Sequence, residues 1–241
     1  MFKSVLDLFR KKPAIPPATT QKAASAEAAP VEESPLVRWL AKDAPGNPFT
    51  VDGYDCLRFV STMRSTTADQ RIATSFADLR ASLGQEHVGA LPENAIELEC
   101  RLAYPAGEVS DGALFKAQQM EDKWDVYLYG ERMYFARSWT GALMYVAGFI
   151  ATSDSLTINR AWAPPELAGD PQYFLRQLDY LVKSHILGRR VPHPLPADFE
   201  RDMQAIALFS LSQYGRQCCF GTFEETLRED IAKRRPVPSE A

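Results

Sequence analysis

Residues 122–162 constrain this chain more than any other stretch. They divide into four runs rich in β-branched and aromatic residues, 123–129, 132–138, 142–151 and 156–162, with short turn signals between them. That order predicts an antiparallel meander. If Gly130-Glu131 is a two-residue hairpin loop, Tyr129 stands opposite Arg132, Val126 opposite Phe135, and Trp124 opposite Arg137. Side chains alternate between faces, so Trp124, Val126, Leu128, Met133 and Phe135 share one side. Closing the next turn on Thr140-Gly141 adds Met144, Val146 and Ile150 to them, and leaves Tyr127, Tyr129, Tyr134, Leu143, Tyr145 and Phe149 on the other side. Both faces are apolar enough to require a cover. The stretch contains no nucleophile, metal cluster or phosphate loop, so it specifies a structure without specifying a reaction.

The flanking chain supplies the cover. Ser34-Pro35 has the form of an N-cap followed by proline, which predicts a short helix over 36–42. Residues 54–63 fit a strand. Thr67-Ala68-Asp69-Gln70 is a capping box, and Ile72, Phe76, Leu79 and Leu83 then form one stripe as far as Gly84. Ile96, Leu98 and Cys100 alternate with Glu97, Glu99 and Arg101, as in a strand with one wet face, and 105–112 reads as a loop. Asp170-Pro171 opens a helix with Phe174, Leu178, Leu181, Val182 and His185 on one side, stopped by Gly188. Pro192, Pro194 and Pro196 argue against regular structure. Asp198 is expected to cap a helix through Phe199, Met203 and Ile206, and Thr222-Phe223-Glu224-Glu225 to cap another through Leu227 and Ile231. The grammar is α+β: an antiparallel sheet flanked by helices, in a single domain over 34–235 with a tail at 236–241.

Ahead of that domain, Phe2, Val5, Leu6 and Phe9 fall at helical spacing among Lys3, Arg10, Lys11 and Lys12. Residues 1–12 thus form an amphipathic peptide, and 13–33 an Ala/Pro-rich tether without apolar periodicity. Such a peptide docks in a partner groove or, as the less favoured reading, on a membrane surface; the plain alternative is that it packs on its own domain or is frayed, since an isolated helix this short is marginal in water. A net charge of −4, from 27 basic and 31 acidic residues, disfavours a nucleic-acid partner. Cys56, Cys100, Cys218 and Cys219 make no C-x-x-C pair and read as thiols of a reducing compartment. No secretory signal is recognisable, and the longest apolar run, 142–151, is too short for a bilayer, so the expected location is cytoplasmic.

Two groups of residues invite a functional reading. Arg137, Ser138, Trp139 and Thr140, with Lys123 nearby, have the composition of a pocket for a small anion or nucleotide: guanidinium on the anion, indole on a ring, hydroxyls hydrogen bonding. The plainer alternative is a structural arginine paired with a carboxylate such as Asp122. Lys123 and Asp125 share a face, where a surface ion pair outweighs acid-base work. Tyr127, Tyr129, Arg132, Tyr134 and Tyr145 have the composition of a protein contact patch, unless the C-terminal helices cover it. A partner would meet that patch or Phe2, Leu6 and Phe9 of the peptide. His87, His185 and His193 have no ligand spacing, so neither a metal nor a cofactor is expected, and no residue is assigned a catalytic role.

Asn47-Pro48-Phe49, Asp55-Cys56-Leu57-Arg58, the 67–84 helix, Asp122-Lys123-Trp124 and the run from Tyr134 to Gly141 together resemble an uncharacterised family of bacterial proteins. The resemblance spans 47–149 and implies a bacterial source but no activity. The expectation is a non-catalytic interaction or regulatory protein that binds a protein partner. The alternative is a small-molecule binder or enzyme at Lys123, Arg137, Ser138 and Trp139.

Overall fold

The computed structural model describes residues 37–47, 55–59, 67–107 and 110–223; the 1–12 peptide, the 13–33 tether and the 236–241 tail lie outside them. In chain order the strands are β1 (Val37–Leu40), β2 (Cys56–Phe59), β3 (Ile96–Pro105), β4 (Gly112–Phe115), β5 (Trp124–Tyr129), β6 (Arg132–Arg137), β7 (Leu143–Ala151), β8 (Ser155–Ala163), β9 (His193–Pro194) and β10 (Phe220–Thr222). The helices are α1 (Gln70–Leu79), α2 (Pro165–Ala168), α3 (Pro171–Leu181) and α4 (Met203–Tyr214). The fold is α+β. A six-stranded antiparallel sheet has the order β3-β8-β7-β6-β5-β4, and a smaller sheet the order β1-β2-β10-β9.

The first hairpin has the expected register, Tyr129 opposite Arg132 and Trp124 opposite Arg137, with Gly130 at a φ of 59° in the turn. The second does not. Its loop spans Ser138 to Ala142 and is closed by Arg137 N–H donating to Ala142 O and Gly141 N–H donating to Arg137 O. A bulge at Phe135/Ala136 then sets Phe135 opposite Tyr145, one position from the expected partner. A one-residue slip exchanges faces. Tyr145, Ala147 and Phe149 therefore join Trp124, Val126, Leu128, Met133 and Phe135 in the main core, and Val146 moves to the side of Tyr127, Tyr134 and Trp162.

The main core is closed by α3, whose Phe174, Leu175, Leu178 and Leu181 pack on the sheet. This helix starts on Pro171 behind an Asp170 cap and runs into a π-type turn, Val182–Ile186, ahead of Gly188. A second cluster joins Val37 and Leu57 of the small sheet to Leu195 and to Ile206, Ala207 and Phe209 of α4.

Other expected elements differ in detail. The helix over 36–42 is strand β1 instead, since pairing with β2 satisfies its backbone and buries Val37 and Leu40. The cap of α1 is Asp69, which accepts from Arg71 N–H, while Thr67 accepts from Asp69 N–H. Asp202, not Asp198, caps α4. Thr222 ends β10, and the helix expected through Leu227 and Ile231 lies outside the described residues. His193 and Pro194, within the proline-rich stretch, pair parallel to β10.

Candidate functional site

The residues proposed for an anion pocket come together at the end of the first hairpin, but their polar atoms turn inward. Arg137 lies over the Trp124 ring, 4.2 Å from its centroid, and donates to the main-chain and side-chain oxygens of Gln213 at 3.0 and 2.7 Å. Gln213 lies in the last turn of α4, where free carbonyls carry partial negative charge, so the guanidinium caps a helix terminus. Trp124 Nε1 donates to the same carbonyl at 2.7 Å. No described carboxylate bonds to Arg137, and Asp122 instead accepts the N–H groups of Gln118 and Gln119. Burial lowers the Arg137 pKa, and the phenols of Tyr145, Tyr214 and Tyr173 act against that shift. Two of those phenols receive Gln177 Nε2, and Tyr145 donates to Gln177 Oε1.

The remaining members are also engaged. Ser138 is fully buried and donates to Asp122 O at 2.6 Å. Trp139 Nε1 donates to Met120 O, and Lys123 sits 3.9 Å above the Trp139 ring while donating to Met120 O as well. Burial, and then the charge of Arg137, push the Lys123 pKa down to about 8. Thr140 accepts from Ala142 N–H within the turn.

Lys123 does not form the ion pair with Asp125 that sequence spacing suggested. Asp125 is buried and accepts two bonds from Arg80, at 3.0 and 2.7 Å, one from Ala117 N–H at 2.8 Å, and a longer one from Lys116. Arg80 also reaches Ala117 O, Ser138 O and Phe76 O, so it ties α1 to the β5–β6 hairpin. Nothing in the sequence joins Arg80 to a carboxylate 45 positions away.

Compared with family models, curated proteins and solved structures, the chain matches none.

The tyrosine face is covered, and by a different segment from the C-terminal helices. Tyr127 is 1% exposed and Tyr134 2%. A strap, residues 82–96, crosses that face from β5 toward β8. Gly84 lies so close to the Tyr127 ring that an added Cβ would be 2.2 Å from Cγ. Tyr129 donates to Leu83 O at 2.8 Å, Gly89 N–H donates to Tyr134 Oη at 3.1 Å, and Ala95 packs beside Trp162 and Tyr134. Only Tyr129 and Arg132, both half-buried, remain at the rim, Arg132 over the Trp162 ring at 5.2 Å.

The strap exposes several large apolar side chains to solvent. Leu83 is 61% exposed, Val88 53%, Leu91 44% and Ile96 44%; among the described residues these are four of the seven large hydrophobic side chains in that state. Sequence reasoning placed Leu83 on the apolar stripe of a helix that in fact ends at Leu79, and Ile96 on the covered side of a strand; Val88 and Leu91 it passed over, because the strap, broken by Gly84, Gly89 and Pro92, has no apolar period to read. Among the described residues no group of histidine, cysteine and carboxylate side chains could hold a metal ion, and no helix is long and apolar enough to cross a membrane.

Proposed function

We propose that this chain is a non-catalytic, cytoplasmic protein-binding module that takes its partner on the outer side of the strap, with Tyr129 and Arg132 at the rim. One observation carries the reading: Leu83, Val88, Leu91 and Ile96 are each exposed along one short segment that hydrogen bonds hold against the sheet. An apolar patch on a fixed surface loses little conformational entropy when it is covered. The tyrosines contribute by fixing the strap, and Tyr127 and Tyr134 make no direct contact with the partner. The bacterial source implied by the family resemblance is consistent with this reading, and Phe2, Leu6 and Phe9 offer a second docking element.

The test is capture from a bacterial lysate by the full chain and by the Leu83→Ser/Val88→Ser variant. The variant is expected to lose the captured protein while melting at an unchanged temperature, since neither side chain is buried. Equal capture by both proteins would sink the proposal.

The alternative, a small anion bound at Arg137 beside Lys123, Ser138, Trp139 and Thr140, is favoured by one feature. Gln213 occupies two of the five N–H directions of a guanidinium that no described carboxylate neutralises.

A further inference from the structure

The charge around the strap narrows the chemistry of the partner. Residues 82–97 contain no lysine or arginine and three glutamates, Glu86, Glu93 and Glu97. Glu97 is already engaged by Trp162 Nε1 at 3.0 Å and by Arg160 at 3.8 Å. Glu93 is exposed, and the Glu86 side chain is 48% exposed, with Ser82 Oγ on one of its oxygens. Glu86 is offset in part, with His87 Nε2 3.9 Å away and the charge of Lys116 also reaching it, whereas no described cation pairs with Glu93. Lys116 lies beneath the strap, donating to Tyr127 Oη and to the carbonyls of Leu79 and Ser82. Arg80 is taken up by Asp125, and Arg132 lies along the Trp162 ring. His87 is buried against Tyr127, and burial lowers its pKa. Along the strap, apolar side chains thus alternate with carboxylates in the order Leu83, Glu86, Val88, Leu91, Glu93, Ile96, with Arg132 as the cation at the rim.

From this we infer that the strap binds a cationic amphipathic segment of a partner protein, whose apolar side chains cover Leu83, Val88 and Leu91 and whose lysines or arginines meet Glu86 and Glu93. The inference rests on the strap being the contact surface. An anionic membrane would be repelled by the same carboxylates, which sets a lipid partner aside. Charge at the edge of an apolar contact chiefly selects partners and speeds encounter, and its effect declines as salt rises.

The experiment titrates the full chain into a fluorescent amphipathic peptide of leucine and lysine, and into its twin with glutamate in place of lysine. Three proteins are compared: wild type, Glu86→Gln/Glu93→Gln and Leu83→Ser/Val88→Ser. The lysine peptide is expected to bind wild type in a salt-dependent manner, to bind the glutamine variant about fivefold more weakly, and to lose binding to the serine variant. The glutamate peptide is expected not to bind. If both peptides bind wild type equally and the serine variant abolishes both, the surface stands and its preference for cations is overturned. If the serine variant binds as wild type does, the surface itself is wrong, and this inference falls with it. Absence of binding by the lysine peptide to wild type likewise overturns the inference, while leaving lysate capture as the separate test of the surface.

Discussion

Gly84 and Gly89 offer a controlled comparison, because both lie on the strap with positive φ, 81° and 80°, yet an added Cβ would strike the sheet at only one of them. A Cβ at Gly89 would meet nothing within 4 Å, whereas a Cβ at Gly84 would be 2.2 Å from Tyr127 Cγ and 2.4 Å from Cδ1. Gly89→Ala therefore carries only the left-handed backbone penalty, about 1 kcal/mol. Gly84→Ala carries the same penalty and must also displace the ring of a buried tyrosine whose hydroxyl receives Lys116, which adds about 2 kcal/mol of overpacking. At roughly 3 °C per kcal/mol for a chain of this size, the melting temperature should fall by about 3 °C in the first variant and about 9 °C in the second. Urea unfolding followed by tryptophan fluorescence measures the same difference. Trp162 lies under the strap and reports on it directly. Equal losses in the two variants would refute the close contact between strap and sheet, and with it the preformed patch.

Two other perturbations test the interior. Arg137→Ala removes two charge-assisted bonds to Gln213 and the contact with Trp124, and should cost about 3 kcal/mol, with Arg137→Lys recovering only part of it because an ammonium lacks the planar fork. A loss under 1 kcal/mol in urea unfolding would revive the anion pocket and count against a helix-capping arginine. His185 and His193 are buried, and desolvation pushes their pKa values down to about 3 and about 4. Unfolded histidine takes up a proton near pH 6.5, so the stability they allow is complete above that pH and is lost as pH falls toward 4. Each group contributes a slope of ~1.4 kcal/mol per pH unit in that window. His185→Gln should flatten the urea-derived stability profile between pH 6 and pH 4 by one such slope, and an unchanged slope would refute a neutral buried imidazole.

The sequence alone determined the first hairpin, since its two-residue turn leaves one register and the alternation of Trp124, Val126 and Leu128 with Tyr127 and Tyr129 fixes the faces. It also determined α3, where a proline behind an aspartate cap and a clean apolar stripe agree. Local signals failed where a choice depended on distant partners. The bulge before Ala136 moved Tyr145 to the opposite face from the one its spacing implied, and β1 became a strand only because β2 was available to pair with it. The candidate sites followed the same rule. That Arg137 faces a helix terminus, that Asp125 belongs to Arg80, and that a glycine-broken strap seals the tyrosines while exposing Leu83 and Val88 are outcomes of contacts between residues far apart in the chain. Short-range periodicity says which side chains share a face, but only the packed structure decides what that face meets.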